Sequence, residues 1–125
     1  LPESQPNKNI YNSFEKLVAS LNIENWIFLY IFFELNLIKE LGYDTNLSQN
    51  KFEDMNINEF NKIKIDGYIY DVPNFLILKK IPDKFSNILI KKSLNFTRYF
   101  LQNKFFIPNN ILFPKSRVIL ENYFN

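Results

Sequence analysis

A mainly α fold, of about four to five helices with one β-hairpin inserted, is what this 125-residue sequence predicts, and three observations carry it. Apolar residues recur at helical spacing near both ends of the chain. An eight-residue run is apolar on every side. One short stretch alternates in period two around an Asp-Gly pair.

Ile10, Phe14, Leu17, Val18 and Leu21 fall at i, i+4, i+7, i+8 and i+11, the stripe of an amphipathic helix that starts after Pro6. A second helix is expected from about Glu24 to Leu41. Its opening, WIFLYIFF (Trp26 to Phe33), is apolar all round, as suits a central helix that others wrap. The run is also far short of the roughly twenty residues that cross a bilayer. Gly42 stops this helix, because a glycine after the cap can turn left-handed while Tyr43 folds back on the last turn.

Residues 44–60 are rich in Asn, Asp and Glu without sustained period, which predicts an irregular, exposed insert. In NKIKIDGYIYDV, Ile63 and Ile65 alternate with lysines, and Tyr68 and Tyr70 flank Ile69, with Val72 following. Asp66-Gly67 between them is a two-residue turn, so this is a hairpin, and an isolated hairpin needs helices to lie on. Pro73 closes the second strand and NFLILKK forms a short helix before Pro82. A long helix follows from about Asp83, a capping residue, to Phe106, with Phe85, Ile88, Leu89, Phe96, Tyr99 and Phe100 inward and Lys91, Lys92, Arg98 and Lys104 outward. Pro108 stops it. Pro114 suits the first position of a last helix, in which Val118, Ile119, Tyr123 and Phe124 pack inward and Lys115 and Arg117 lie near the start.

With no Cys and no His, the chain has no disulfide, no thiolate metal site and no histidine base. Glu34, Asp66, Asp71 and Asp83 are the acids nearest apolar segments, and each has a structural role at hand: Asp66 turns the hairpin, Asp83 caps a helix and Glu34 interrupts an apolar face. Neither a Gly-rich phosphate loop nor a Ser-His-Asp set is present, so the sequence predicts a protein that is not an enzyme. Charge is uneven. Residues 1–78 carry 6 Lys against 11 acids, net −5, whereas residues 79–125 carry 9 Lys and Arg against 2 acids, net +7. The basic part suits phosphate or an acidic peptide, and equally a set of solvated helix faces. The opening LPESQPNKN reads as a linker (1–9) from a preceding domain, leaving 10–125 as one domain. No secretory signal pattern opens the chain and no membrane span is expected, so the expected location is cytoplasmic.

The stretches LPESQPNKNIY, FFELNLIKELGYDTNLSQ, SLNFTRYFLQNKFF and FPKSRVILENYF, in that order, resemble the helical C-terminal domain of the bacterial recombination mediator RecO, the opening most closely its alphaproteobacterial members. The most specific part is F-E-L-x-L-x-x-x-L-G-Y: Phe33, Glu34, Leu35, Leu37, Leu41, Gly42 and Tyr43. Many members begin a four-cysteine zinc site just beyond it. Asn50 stands about where the first cysteine would be, so the resemblance implies no zinc and no other cofactor here.

What the resemblance further implies is a DNA repair and recombination domain, joined in the whole protein to an OB-fold. Family members bind and anneal single- and double-stranded DNA. They bind the acidic, apolar-ended tail of single-stranded-DNA-binding protein and RecR, and they help load RecA. Such a tail needs an apolar slot flanked by cations. Many members carry a basic residue immediately before the FEL phenylalanine, and here that position is Phe32. The candidate slot is therefore Tyr30, Phe33 and Leu37, with cations from Arg98, Lys115 and Arg117, though each of the apolar three also fits a core position. Lys91, Lys92, Arg98, Lys104, Lys115 and Arg117 are the candidate phosphate contacts. The alternative is a structural domain that supports the OB-fold and binds no ligand of its own.

Overall fold

The computed structural model describes residues 26–125, so the helix expected at 10–21 and the linker at 1–9 lie outside the described residues. Helix α1 (Trp26–Glu40) is followed by a 3-10 turn (Leu47–Asn50), strands β1 (Phe60–Ile65) and β2 (Tyr68–Pro73), and the short helix α2 (Asn74–Leu78). Helix α3 (Asn87–Leu101) continues into a π turn (Gln102–Phe106), and α4 (Lys115–Tyr123) ends the chain. The mainly α fold with one hairpin is the one the sequence predicts.

In α1 the buried stripe is Ile27, Ile31, Glu34 and Ile38, so a carboxylate occupies one position of an apolar face. The helix ends as its Gly-Tyr predicts. Gly42 takes φ 92°, its N–H donates to the Lys39 carbonyl at 2.9 Å, and the Tyr43 N–H donates to the Ile38 carbonyl at 3.2 Å. These are the two crossed bonds of a Schellman ending. The Tyr43 hydroxyl then donates to the Lys104 carbonyl, which ties the helix end to the turn that closes α3.

Asp66 and Gly67 take φ 53° and 86°, the left-handed pair that a two-residue hairpin turn requires. The antiparallel register runs from Ile65 opposite Tyr68 to Phe60 opposite Pro73. Ile63, Ile65 and Val72 are buried on the inner face. There Tyr70 meets the Phe96 ring of α3 edge-on at 5.4 Å, and this packing supplies what a lone hairpin lacks.

The insert at 44–60 is exposed along most of its length, as its composition predicts, but it has anchors that composition does not reveal. Leu47 is buried, and Met55 and Ile57 pack against the core. Buried Asn74 donates its side-chain N–H to the Asn56 carbonyl at 2.7 Å and accepts from the Asn61 amide at 2.6 Å. Its backbone N–H donates to the Glu59 carbonyl at 2.8 Å. One asparagine thus closes the insert, because a buried amide must satisfy its polar atoms locally.

Two helices differ from expectation. Helix α3 starts at Asn87, not near Asp83, because Ser86 is its cap and accepts from the Leu89 N–H at 3.3 Å. Its core face is Leu89, Ile90, Ser93, Leu94, Phe96, Thr97, Phe100 and Leu101, and Phe85, Ile88 and Tyr99, expected inside, are exposed. In α4 only Phe124, just beyond its end, is buried among the four residues expected inward; Val118 is half-buried, and Ile119 and Tyr123 face out. The reason is the same in both helices: the face turned inward is chosen by a buried polar cluster that apolar periodicity does not register.

Candidate functional site

Glu34 is buried by its place in the α1 stripe, and an unpaired carboxylate there would be strongly destabilising. Arg117 on α4 supplies the partner. Its Nε donates to Glu34 Oε2 at 2.6 Å and its Nη2 to Oε1 at 2.9 Å, a two-pronged pair between residues 83 apart in sequence. The remaining carboxylate positions are also occupied: the Thr97 hydroxyl donates to Oε1 at 2.7 Å and the Tyr30 hydroxyl to Oε2 at 2.8 Å. Arg117 Nη2 also donates to the Leu94 carbonyl at 3.0 Å.

Burial works against the charge on Arg117, but bonding and attraction to Glu34, aided by Tyr30 and Glu121, outweigh it and raise the guanidinium pKa above its usual value. Burial and the neighbouring Glu34 carboxylate likewise push the Tyr30 phenol up, which keeps it a proton donor. Glu121 lies between two guanidiniums, with Oε1 3.2 Å from Arg98 Nε and 3.8 Å from Arg117 Nη1, and neither approach makes a hydrogen bond. Two acids and two arginines thus form a neutral cluster that joins α1, α3 and α4.

This accounts for three expected tail-slot residues. Tyr30, Arg98 and Arg117 do come together, but around Glu34 and Glu121. Arg117, expected as a surface cation for peptide or phosphate, is buried with Nε and Nη2 held by Glu34, because the acid inside α1 needs it there. Phe33 and Leu37 are half-buried on the same side of α1 as Tyr30, and Lys115 is exposed at the start of α4. The signal for the pair was legible: Glu34 breaks an otherwise apolar 27, 31, 38 stripe, and the chain has two arginines.

The other phosphate candidates are exposed to different degrees. Lys92 bonds Asp71 at 2.8 Å and lies 4.2 Å from the centre of the Phe60 ring. Lys91 donates to the Glu121 carbonyl at 3.3 Å, and Lys104 sits 3.3 Å from Asp66 at the hairpin turn. Lys62 also bonds Asp71, and these two lysine hydrogen bonds hold the Asp71 carboxyl below its ordinary pKa.

An open groove of about 570 Å³ lies on the opposite side of α1, between its last turns, the loop after Gly42 and the end of α2. Phe32, Leu35, Leu47 and Leu76 give it an apolar floor, and Lys39 and Lys79 stand at its rim, with Asp44 also in the lining. Lys79 is set there by α2, which it ends in the left-handed conformation at φ 57°. Phe32, the residue just before the Phe-Glu-Leu segment, lines this face.

The Asn50 side chain donates to the Asn46 carbonyl at 3.2 Å, and no group of three metal-ligating side chains converges among the described residues. No described helix is long and apolar enough to cross a membrane.

In class this is a mainly α domain with one β-hairpin, its helices joined by a buried acid and arginine cluster. The family model described as Recombination protein O C terminal matches residues 1–116, and the chain belongs to that family. It is also similar to the DNA repair protein RecO of Ehrlichia chaffeensis, 27% identical over 139 residues that cover 94% of this chain and 55% of that protein. The chain therefore spans about half the length of the curated relative it matches. No solved structure matches it significantly.

Proposed function

We propose that this domain serves DNA repair and recombination as a non-catalytic binding module of a RecO-type mediator. Its ligand on this reading is the acidic, apolar-ended tail of single-stranded-DNA-binding protein. The groove beside Phe32 carries the proposal: an apolar floor takes the terminal side chain, and Lys39 and Lys79 take the carboxylates. On this reading the slot lies on the face of α1 opposite Tyr30, Phe33 and Leu37, beside which the expected cation Arg117 is held by Glu34.

DNA phosphates are the second ligand class, met by the exposed end of the cation set: Lys115, then Lys104, Lys92, Lys91 and Arg98 as their present partners yield. Contact with RecR and help in loading RecA belong to the same proposal at the level of the whole protein.

Fluorescence anisotropy of a labelled tail peptide titrated with the domain tests the reading, beside a control peptide lacking the final apolar residue. Saturable binding of the intact tail alone, weakened by Lys39→Glu and Lys79→Glu, is the expected result. Equal binding of both peptides, or indifference to both charge reversals, would move the structural role ahead.

A further inference from the structure

Helix α4 is inverted for a helix on a protein surface. Its charged residues Arg117 and Glu121 are 6% and 3% exposed, whereas Ile119 and Tyr123 are 69% and 78% exposed. Lys115, Ile119 and Tyr123 follow one another at i, i+4 and i+8, a single strip along the outside of the helix. Leu112, 92% exposed, stands just before it.

The buried Phe124 connects this strip to the start of α3. The Tyr123 ring meets Phe124 at 5.1 Å, Phe124 meets Phe85 at 6.2 Å, and Phe85 and the nearby Ile88 are both exposed. Single exposed apolar side chains are ordinary, but a run of them across two elements marks an interaction face. Its border is basic. Among the described residues, Lys84 and Lys115 are exposed and Lys91 half-buried beside it, and the acids from residue 79 onward are Asp83, exposed next to Lys84, and Glu121, enclosed by guanidiniums.

We propose that this face docks an acidic amphipathic helix of a partner protein. Apolar side chains of the partner at i, i+4 and i+7 would lie on Ile119, Tyr123 and Phe85, with its Asp and Glu residues toward Lys84, Lys91 and Lys115. The nine residues of α4 give a strip about 13 Å long at 1.5 Å per residue, which a partner helix of about three turns covers. The apolar centre of Ile119, Tyr123 and Phe85 does not suit a phosphate backbone. The phosphate set proposed above shares only Lys91 and Lys115 with this border, so DNA and the partner helix would compete for those two lysines. The shared basic border disfavours a second copy of the chain. The face is built from α3 and α4, apart from the groove on α1 and α2, so either site can fail without the other.

The test places a photoreactive benzoylphenylalanine at Tyr123 in the full-length protein in its own cells. Mass spectrometry then identifies the cross-linked segment, and a synthetic peptide of it is titrated against the domain. The expected result is one segment with an apolar stripe and acidic edges. Ile119→Asp should weaken its peptide more than about tenfold, a loss of about 1.4 kcal/mol, at an unchanged thermal midpoint, and the paired reversal Lys84→Glu with Lys115→Glu should weaken it as well. Cross-links to nucleic acid, to a second copy, to a segment without acidic edges or to nothing would overturn the proposal. So would a peptide indifferent to both changes.

Discussion

Two acidic side chains in this domain each draw two bonding partners or more from other parts of the fold, and they sit in opposite surroundings. Glu34 is enclosed by α1, α3 and α4 and bonded by Arg117, Thr97 and Tyr30. Asp71 is a third exposed at the hairpin's outer face, bonded by Lys62 across the strands and Lys92 from α3. The bond lengths are alike, yet the consequences differ, because water competes for Asp71 and cannot reach Glu34. Inside, an ion pair decides which helix face turns inward. At the surface it trims a geometry already fixed by packing.

The largest effect expected from this contrast is that of Arg117→Met, which leaves Glu34 buried without its cation and should destabilise the domain by about 3–5 kcal/mol. Urea denaturation followed by Trp26 fluorescence reads it, and a loss under 1 kcal/mol would mean that water reaches Glu34 after all. Replacing both partners, Glu34→Leu with Arg117→Met, should recover most of that stability, since a buried pair exchanged for apolar side chains is often neutral or stabilising by about 1–4 kcal/mol. A double variant no better than Arg117→Met alone would show that Glu34 has another indispensable role.

Thr97→Val keeps the shape and removes one hydrogen bond to a buried carboxylate, an expected loss of about 1.5–3 kcal/mol. Asp71→Asn should matter least, about 0.2–1 kcal/mol, and should fade in high salt, whereas the Arg117→Met loss should not.

The pH dependence of the Asp71 contribution follows from its depressed pKa. Folding favours the ionised form, so its stabilisation is complete above the ordinary carboxylate range and disappears as pH falls through the lowered value. Denaturation midpoints of the parent and Asp71→Asn should therefore differ at pH 7 and converge in acid. A gap that persists under strongly acidic conditions would assign the loss to packing.

The elements that proved legible were those with a local cause. The Gly42-Tyr43 stop and the Asp66-Gly67 turn each follow from backbone conformations that few residues adopt, and both stand where the sequence placed them. Apolar character alone predicts an inward Phe85, Ile88 and Tyr99 in α3, since aromatic and branched residues ordinarily seek the core. Ser93 and Thr97 face inward instead, since Thr97 bonds the buried Glu34. The groove is not legible in the sequence for a related reason. Phe32 and Lys39 belong to one helix, but Leu47 and Lys79 reach the same space only through the insert and α2.

By itself the sequence determined the kinds of element, their order, two of their ends and the family, because capping, turn and periodicity signals act between near neighbours. Which face of α3 and α4 would be inside was decided only by tertiary structure. A carboxylate in the middle of an apolar helix has to be neutralised wherever it is buried, and the arginine that does so lies 83 residues away. Satisfying that charge outweighed the burial of Ile119 and Tyr123, and left them at the surface.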